Sequence, residues 1–265
     1  MKKIFLALIT IVIFCNLIDA QNDTMYVMKS GIVVGKYNIN TQVDSIIFYQ
    51  PVIQISNTFT DSRDNNVYQT VTIGNQVWMA ENLRYLPCVA GSYAGSTTSP
   101  YYYVYGYEGT NVDDAKATAN YSTYGVLYNW AAAMAGSASS SANPSGVQGV
   151  CPTGWHLPSD AEWTELTTYL GGENIAGGKL KETGTTHWNT PNAEATNESG
   201  FTALPGGNRD YFGSFMSINS NGWWWSATEL DSFYTWNRAM GYGYGSIGRP
   251  FNDMDYGFSV RCVRN

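Results

Sequence analysis

Hydrophobic and polar positions change character several times along the chain. Ile4 to Phe14 is almost continuously apolar behind Lys2 and Lys3, and Asp19-Ala20-Gln21 follows. A basic start, a short apolar run and a small residue at the break are the layout of a signal peptide over 1–20. The run is shorter than the ~20 residues that cross a bilayer. Cys15 follows Phe14, where a lipidation site takes a small residue, so the pattern reads as a cleaved leader. From Met25 to Phe48 apolar and polar residues alternate, with Tyr26, Met28, Ile32 and Val34 and later Val43, Ile46 and Phe48. That alternation predicts a small antiparallel β meander within 21–50. So short a segment buries too little to stand alone. Residues 51–57 read as a linker.

The remaining chain, 58–265, mixes both periods. Val67 to Met79 alternates around Gly74-Asn75 and predicts a hairpin with a two-residue loop. Val126, Leu127, Trp130, Ala131 and Met134 stand at helical spacing and predict a helix over 124–135. A second helix is predicted after Ser159, where Ser159 and Glu162 form a capping box and Gly171-Gly172 ends the run. Beyond Gly178 the pattern turns to strands and loops around residues 201–204, 223–228, 234–238 and 258–263. Helices and strands that do not alternate regularly make this an α+β fold.

Composition narrows the function. Aromatic residues make up 15% and charged residues only 13%, with 27 Gly, a balance suited to turns and β structure. The net charge of −7 argues against nucleic acid and against an anionic membrane surface as partners. Cys88, Cys151 and Cys262 follow the leader. An oxidising compartment would pair two of the three, and spacing does not choose which.

Candidate chemistry is sparse. The two His residues, His156 and His187, stand apart and lack Cys at zinc spacing, so no metal site is expected. His156 reads as a buried, loop-orienting residue just before the helix cap. Asp113-Asp114, Asp210, Asp253 and Asp255 could supply a carboxylate pair, but read as solvated turn residues. Asp61 to Asn66 resembles a calcium loop superficially; without Gly at the sixth place and Glu at the twelfth, it reads as a hairpin turn. Gly241 to Gly245 lacks the setting of a dinucleotide loop. The aromatic clusters stand out instead. Trp223-Trp224-Trp225 alternates, so one ring is expected outside. Trp224, Trp236, Tyr242 and Tyr244, with Asn237, Arg238, Arg209 and Asp210, offer the flat faces and directed hydrogen bonds of a binding surface.

Several stretches carry a family resemblance. They are Gln76 to Leu83, Tyr124 to Trp130, Cys151 to Trp163, Ser199 to Phe201, Leu204 to Gly207, Trp224 to Thr228 and Val260 to Val263. In this order they resemble the Fibrobacter succinogenes major paralogous domain, abundant in exported proteins of Bacteroidetes and Fibrobacteres. The Leu157 to Trp163 run is also similar to formylglycine-generating-enzyme-like domains. The resemblance implies a C-type-lectin-like domain over 58–265, with two helices, paired N- and C-terminal strands and long loops. It implies a Cys151–Cys262 disulfide, leaving Cys88 as the odd thiol. Such a fold permits calcium through loop residues such as Asn252 and Asp253, but the sugar motifs of calcium-dependent lectins are missing, and no cofactor is expected. The expectation is an exported, non-enzymatic module binding a glycan or protein at a cell surface; the alternatives are a structural or assembly subunit and a secreted hydrolase.

Overall fold

The computed structural model describes residues 24–29, 32–38 and 57–265. The leader 1–20 and most of the linker lie outside the described residues. The chain forms two compact units, Met1–Ile53 and Gln54–Asn265. In the first, β1 (Thr24–Lys29) and β2 (Ile32–Asn38) pair antiparallel with a register shift between Val27 and Met28. The part of the expected meander beyond residue 38 lies outside the described residues.

The second unit is mixed α+β, with short helices set among sheets. β3 (Asn57–Thr60), β4 (Val67–Ile73) and β5 (Gln76–Met79) form an antiparallel meander. The β4–β5 loop is Gly74-Asn75, with Gly74 at φ +62°, a left-handed value that favours glycine. The chain returns at its far end to this sheet: β15 (Val263–Arg264) lies between β5 and β8 (Trp155–His156). Cys151 and Cys262 are bonded beside that junction and closed within the core. β6 (Tyr102–Tyr103) pairs with β7 (Leu127–Tyr128).

A second sheet contains β9 (Gly206–Arg209), β10 (Phe215–Ile218), β11 (Asn221–Glu229), β12 (Tyr234–Gly241), β13 (Ile247–Gly248) and β14 (Phe251–Asp253). Its order is β10-β9-β11-β12-β13, with β14 also on β12. Pleating sends neighbouring residues to opposite faces, and both faces of β11 are covered. Trp225 enters a core with Tyr128, Phe258 and the disulfide; Trp224 enters another with Trp78, Trp163 and Phe201.

Five short helices are present among the described residues: α1 (Val112–Lys116), α2 (Ala119–Tyr124), α3 (Trp130–Met134), α4 (Asp160–Tyr169) and α5 (Glu173–Leu180). The continuous helix expected over 124–135 does not form. Gly125 at φ +79° stops α2, residues 127–128 pair with β6, and Asn129 caps a new start by accepting from the Ala132 amide at 3.0 Å. The helix at 160 forms as expected. Ser159 Oγ accepts from the Glu162 amide at 3.1 Å, and Glu162 Oε2 accepts from the Ser159 amide at 2.9 Å. In α5, Gly177 and Gly178 lie against the carbonyls of Ser246 and Glu194, where a Cβ would clash. Two central glycines weaken the helical pattern, which is why α5 is inconspicuous in the sequence.

Candidate functional site

Strand β12 carries aromatic side chains to two separate surfaces. At its start, Trp236 stands opposite Phe251 and Tyr234 opposite Asp253. The rings of Tyr234 and Phe251 are 5.6 Å apart, and those of Trp236 and Phe251 are 5.9 Å apart, both edge to face. Phe251 is 51% exposed and Tyr234 is also exposed. The Arg249 guanidinium lies 3.8 Å from the Trp236 ring centre. Arg249 is fixed there by Asp160 at the start of α4, donating through Nε at 2.9 Å and Nη2 at 2.7 Å. The buried Arg238 holds the other side of Asp160 at 2.6 Å. Burial alone would raise the Asp160 pKa, but Arg249 and Arg238 outweigh it and hold the carboxyl below its ordinary range. An ion-paired helix start thus sets the angle of an aromatic, partly open face.

At the other end of β12 the chain turns through Tyr242 and Tyr244, the latter 70% exposed. Lys181 holds this turn from inside. Its Nζ donates to the carbonyls of Tyr244 at 2.7 Å, Ala193 at 2.9 Å and Gly241 at 3.0 Å. The Trp188 ring lies 5.4 Å from the ammonium. Burial, only partly offset by the Glu194 charge, pulls the Lys181 pKa down to about 8. The Gly178 amide donates to the Gly245 carbonyl at 2.7 Å, which ties the turn to α5.

The residues singled out in the sequence are therefore dispersed. Trp236 joins the first face, and Tyr242 and Tyr244 the second. Trp224, Asn237 and Arg238, expected on the ligand surface, are fully enclosed. Their burial follows from a sheet covered on both sides. Trp224 Nε1 donates to Asn82 at 2.9 Å, Asn237 Nδ2 to Asn252 at 2.9 Å, and Arg238 to Asp160. Arg209 is also buried, donating to the Ser92 carbonyl at 2.7 Å and pairing with Asp255 at 3.0 Å. Asp210 closes a turn by accepting from the Ser214 amide at 2.9 Å. Phe251 and Arg249 escaped the sequence reading because they flank the aromatic runs and only strand pairing brings them to Trp236. Cys88 is an exposed free thiol.

His156 is buried, as read from the sequence. Its Nε2 lies 2.6 Å from Glu162 Oε1 and its Nδ1 lies 2.6 Å from Asn265 Oδ1. The Glu162 carboxylate beside Nε2 favours the protonated, charged ring. Burial opposes that charge, yet the hydrogen bond and charge of Glu162, with Asn265, leave the His156 pKa raised. His187 contacts Glu182 at 2.8 Å. Among the described residues no group of three or more His, Cys, Asp or Glu side chains is placed to hold a metal ion.

Residues 71–264 match the model of the Fibrobacter succinogenes major domain, and the chain belongs to that family. No curated protein and no solved structure matches the chain.

Proposed function

We propose that this member of the Fibrobacter succinogenes major domain family is an exported binding module that works without catalysing a reaction. Its ligand is a glycan, taken on the face of Tyr234, Trp236 and Phe251. The observation that carries this reading is the linked set of three partly open rings, with a guanidinium fixed on one of them. Ring faces suit the apolar C–H side of a pyranose, while Arg249 offers hydrogen bonds at the margin. Export is supported by the enclosed Cys151–Cys262 bond, since such bonds persist in oxidising compartments. Among the described residues no helix is long and apolar enough to cross a membrane. The pairing of β5 with the terminal β15 supports a C-type-lectin-like arrangement.

A glycan array probed with the purified protein, in calcium and again in EDTA, tests the proposal. Specific binding that Phe251→Ala weakens about tenfold is the expected result, and calcium dependence is not expected. Absence of glycan binding in both conditions would overturn it in favour of an assembly role.

A further inference from the structure

The most exposed large apolar side chains of the second unit, Phe212 and Tyr93, are not among the rings of that face. Residues 210–214 form a tight turn between β9 and β10, with the Gly213 amide donating to the Asp210 carbonyl at 3.0 Å. The turn presents Tyr211, which is 50% exposed, and Phe212, which is 77% exposed. Their ring centres are 3.9 Å apart, and Tyr256 lies 5.7 Å from Tyr211. Tyr93, 74% exposed, adjoins the turn: a Cβ on Gly213 would stand 3.2 Å from the Tyr93 Cα. Neighbouring aromatic rings left open to solvent in one place form an apolar patch of the kind that marks a contact surface.

Carboxylates stand around these rings. Asp210 and Asp253 are close enough to Tyr256 that, after burial, their charges push its phenol pKa up. Glu108 stands beside Tyr93, accepting from the Ser92 amide at 2.7 Å and from its hydroxyl at 2.8 Å. Asp255 is the partner of Arg209. Arg209 is buried, lies 5.3 Å from the Tyr103 ring centre and has its donors engaged within the protein, so it is not open to a visitor. Gly95 permits this, since a Cβ there would strike the Arg209–Asp255 pair. A partner approaching the turn meets π faces and carboxylates.

We infer that the 210–214 turn, with Tyr256 and Tyr93, is a second recognition surface whose partner is a basic polypeptide segment. Lys or Arg side chains of that segment seat on the rings of Tyr211, Phe212 and Tyr256 beside Asp210 and Asp253. The warrant is cation–π attraction reinforced by carboxylates and by a net charge of −7. Acidic partners would be repelled. This surface uses other rings than the glycan face and does not depend on it.

The test is calorimetric titration with tetralysine and with the same peptide acetylated on every side-chain amine. Tetralysine is expected to bind and the acetylated peptide not to. The double substitution Tyr211→Ala/Phe212→Ala should weaken binding about fivefold to tenfold. Asp210→Asn/Asp253→Asn should weaken it by a similar factor, and Tyr244→Ala should leave it unchanged. The rings removed are exposed, and far-ultraviolet circular dichroism checks that the variants fold. Equal binding of the acetylated peptide overturns the inference. So does a ring-deleted variant that keeps full affinity, which would reduce the attraction to overall charge, and so does a failure of tetralysine to bind at all.

Discussion

The tryptophans of β11 and the rings beside β12 share a composition and differ in fate. Trp224 and Trp225 are enclosed, and each indole N–H has found an acceptor, Asn82 at 2.9 Å and the Tyr128 carbonyl at 2.7 Å. Phe251, Tyr211 and Phe212 keep much of their surface in water. What separates them is whether a layer covers the strand. β11 runs between two hydrophobic clusters, so its alternation distributes rings to both interiors. β14 pairs only with β12, and the 210–214 turn joins β9 to the edge strand β10. An aromatic-rich sequence is therefore no map of a binding surface; in this domain most of the aromatic mass replaces aliphatic core.

The comparison breaks most visibly under truncation. Trp225→Ala should lower unfolding stability by about 3–5 kcal/mol, read by chemical denaturation, whereas Phe212→Ala should change it by less than about 0.5 kcal/mol. Equal costs would mean that the two sets of rings are not core and surface. The Cys151–Cys262 bond closes a separation of 111 residues, and Cys151→Ser should cost about 2–5 kcal/mol. A variant that melts like the parent would contradict the pairing. Lys181→Met leaves three carbonyls without their donor and should cost roughly 1–3 kcal/mol. It should also speed hydrogen exchange at the Gly178 amide, which reports the Tyr242–Tyr244 turn; unchanged exchange would show that the turn holds without the ammonium.

The smallest effect is a pH slope. The His156 pKa is raised in the folded chain, so its contribution is fully present below the unfolded value of about 6.5. As pH rises through the higher folded value, the folded state releases its proton and that contribution is lost. Stability of the wild type should therefore fall across this window relative to His156→Gln, measured by denaturation at successive pH values. Parallel profiles would contradict the buried imidazolium.

Local signals were legible in the sequence where one residue type has one structural use. Gly74-Asn75 marks a hairpin loop, and Ser159 with Glu162 marks a helix start. The 124–135 segment misleads because Leu127 and Trp130 have helical spacing, while the pairing of Leu127-Tyr128 with Tyr102-Tyr103 is set some 25 residues away. No local pattern reports that competition. The same holds for the site. Trp236 was identifiable as an aromatic beside polar residues, but its partners Phe251 and Arg249 reach it through strand pairing and through Asp160 of a distant helix. Asn237 and Arg238 read as directed polar groups, and tertiary burial turned both into internal hydrogen-bonding residues.

The central claim is that open rings on β12 and β14 bind sugar while enclosed rings only support the fold. Titration of a glycan selected on the array, with wild type, Phe251→Ala and Trp225→Phe, tests it most directly. The account predicts about a tenfold loss of affinity for Phe251→Ala at an unchanged unfolding midpoint, and retained affinity with lowered stability for Trp225→Phe. Full affinity in Phe251→Ala would contradict it.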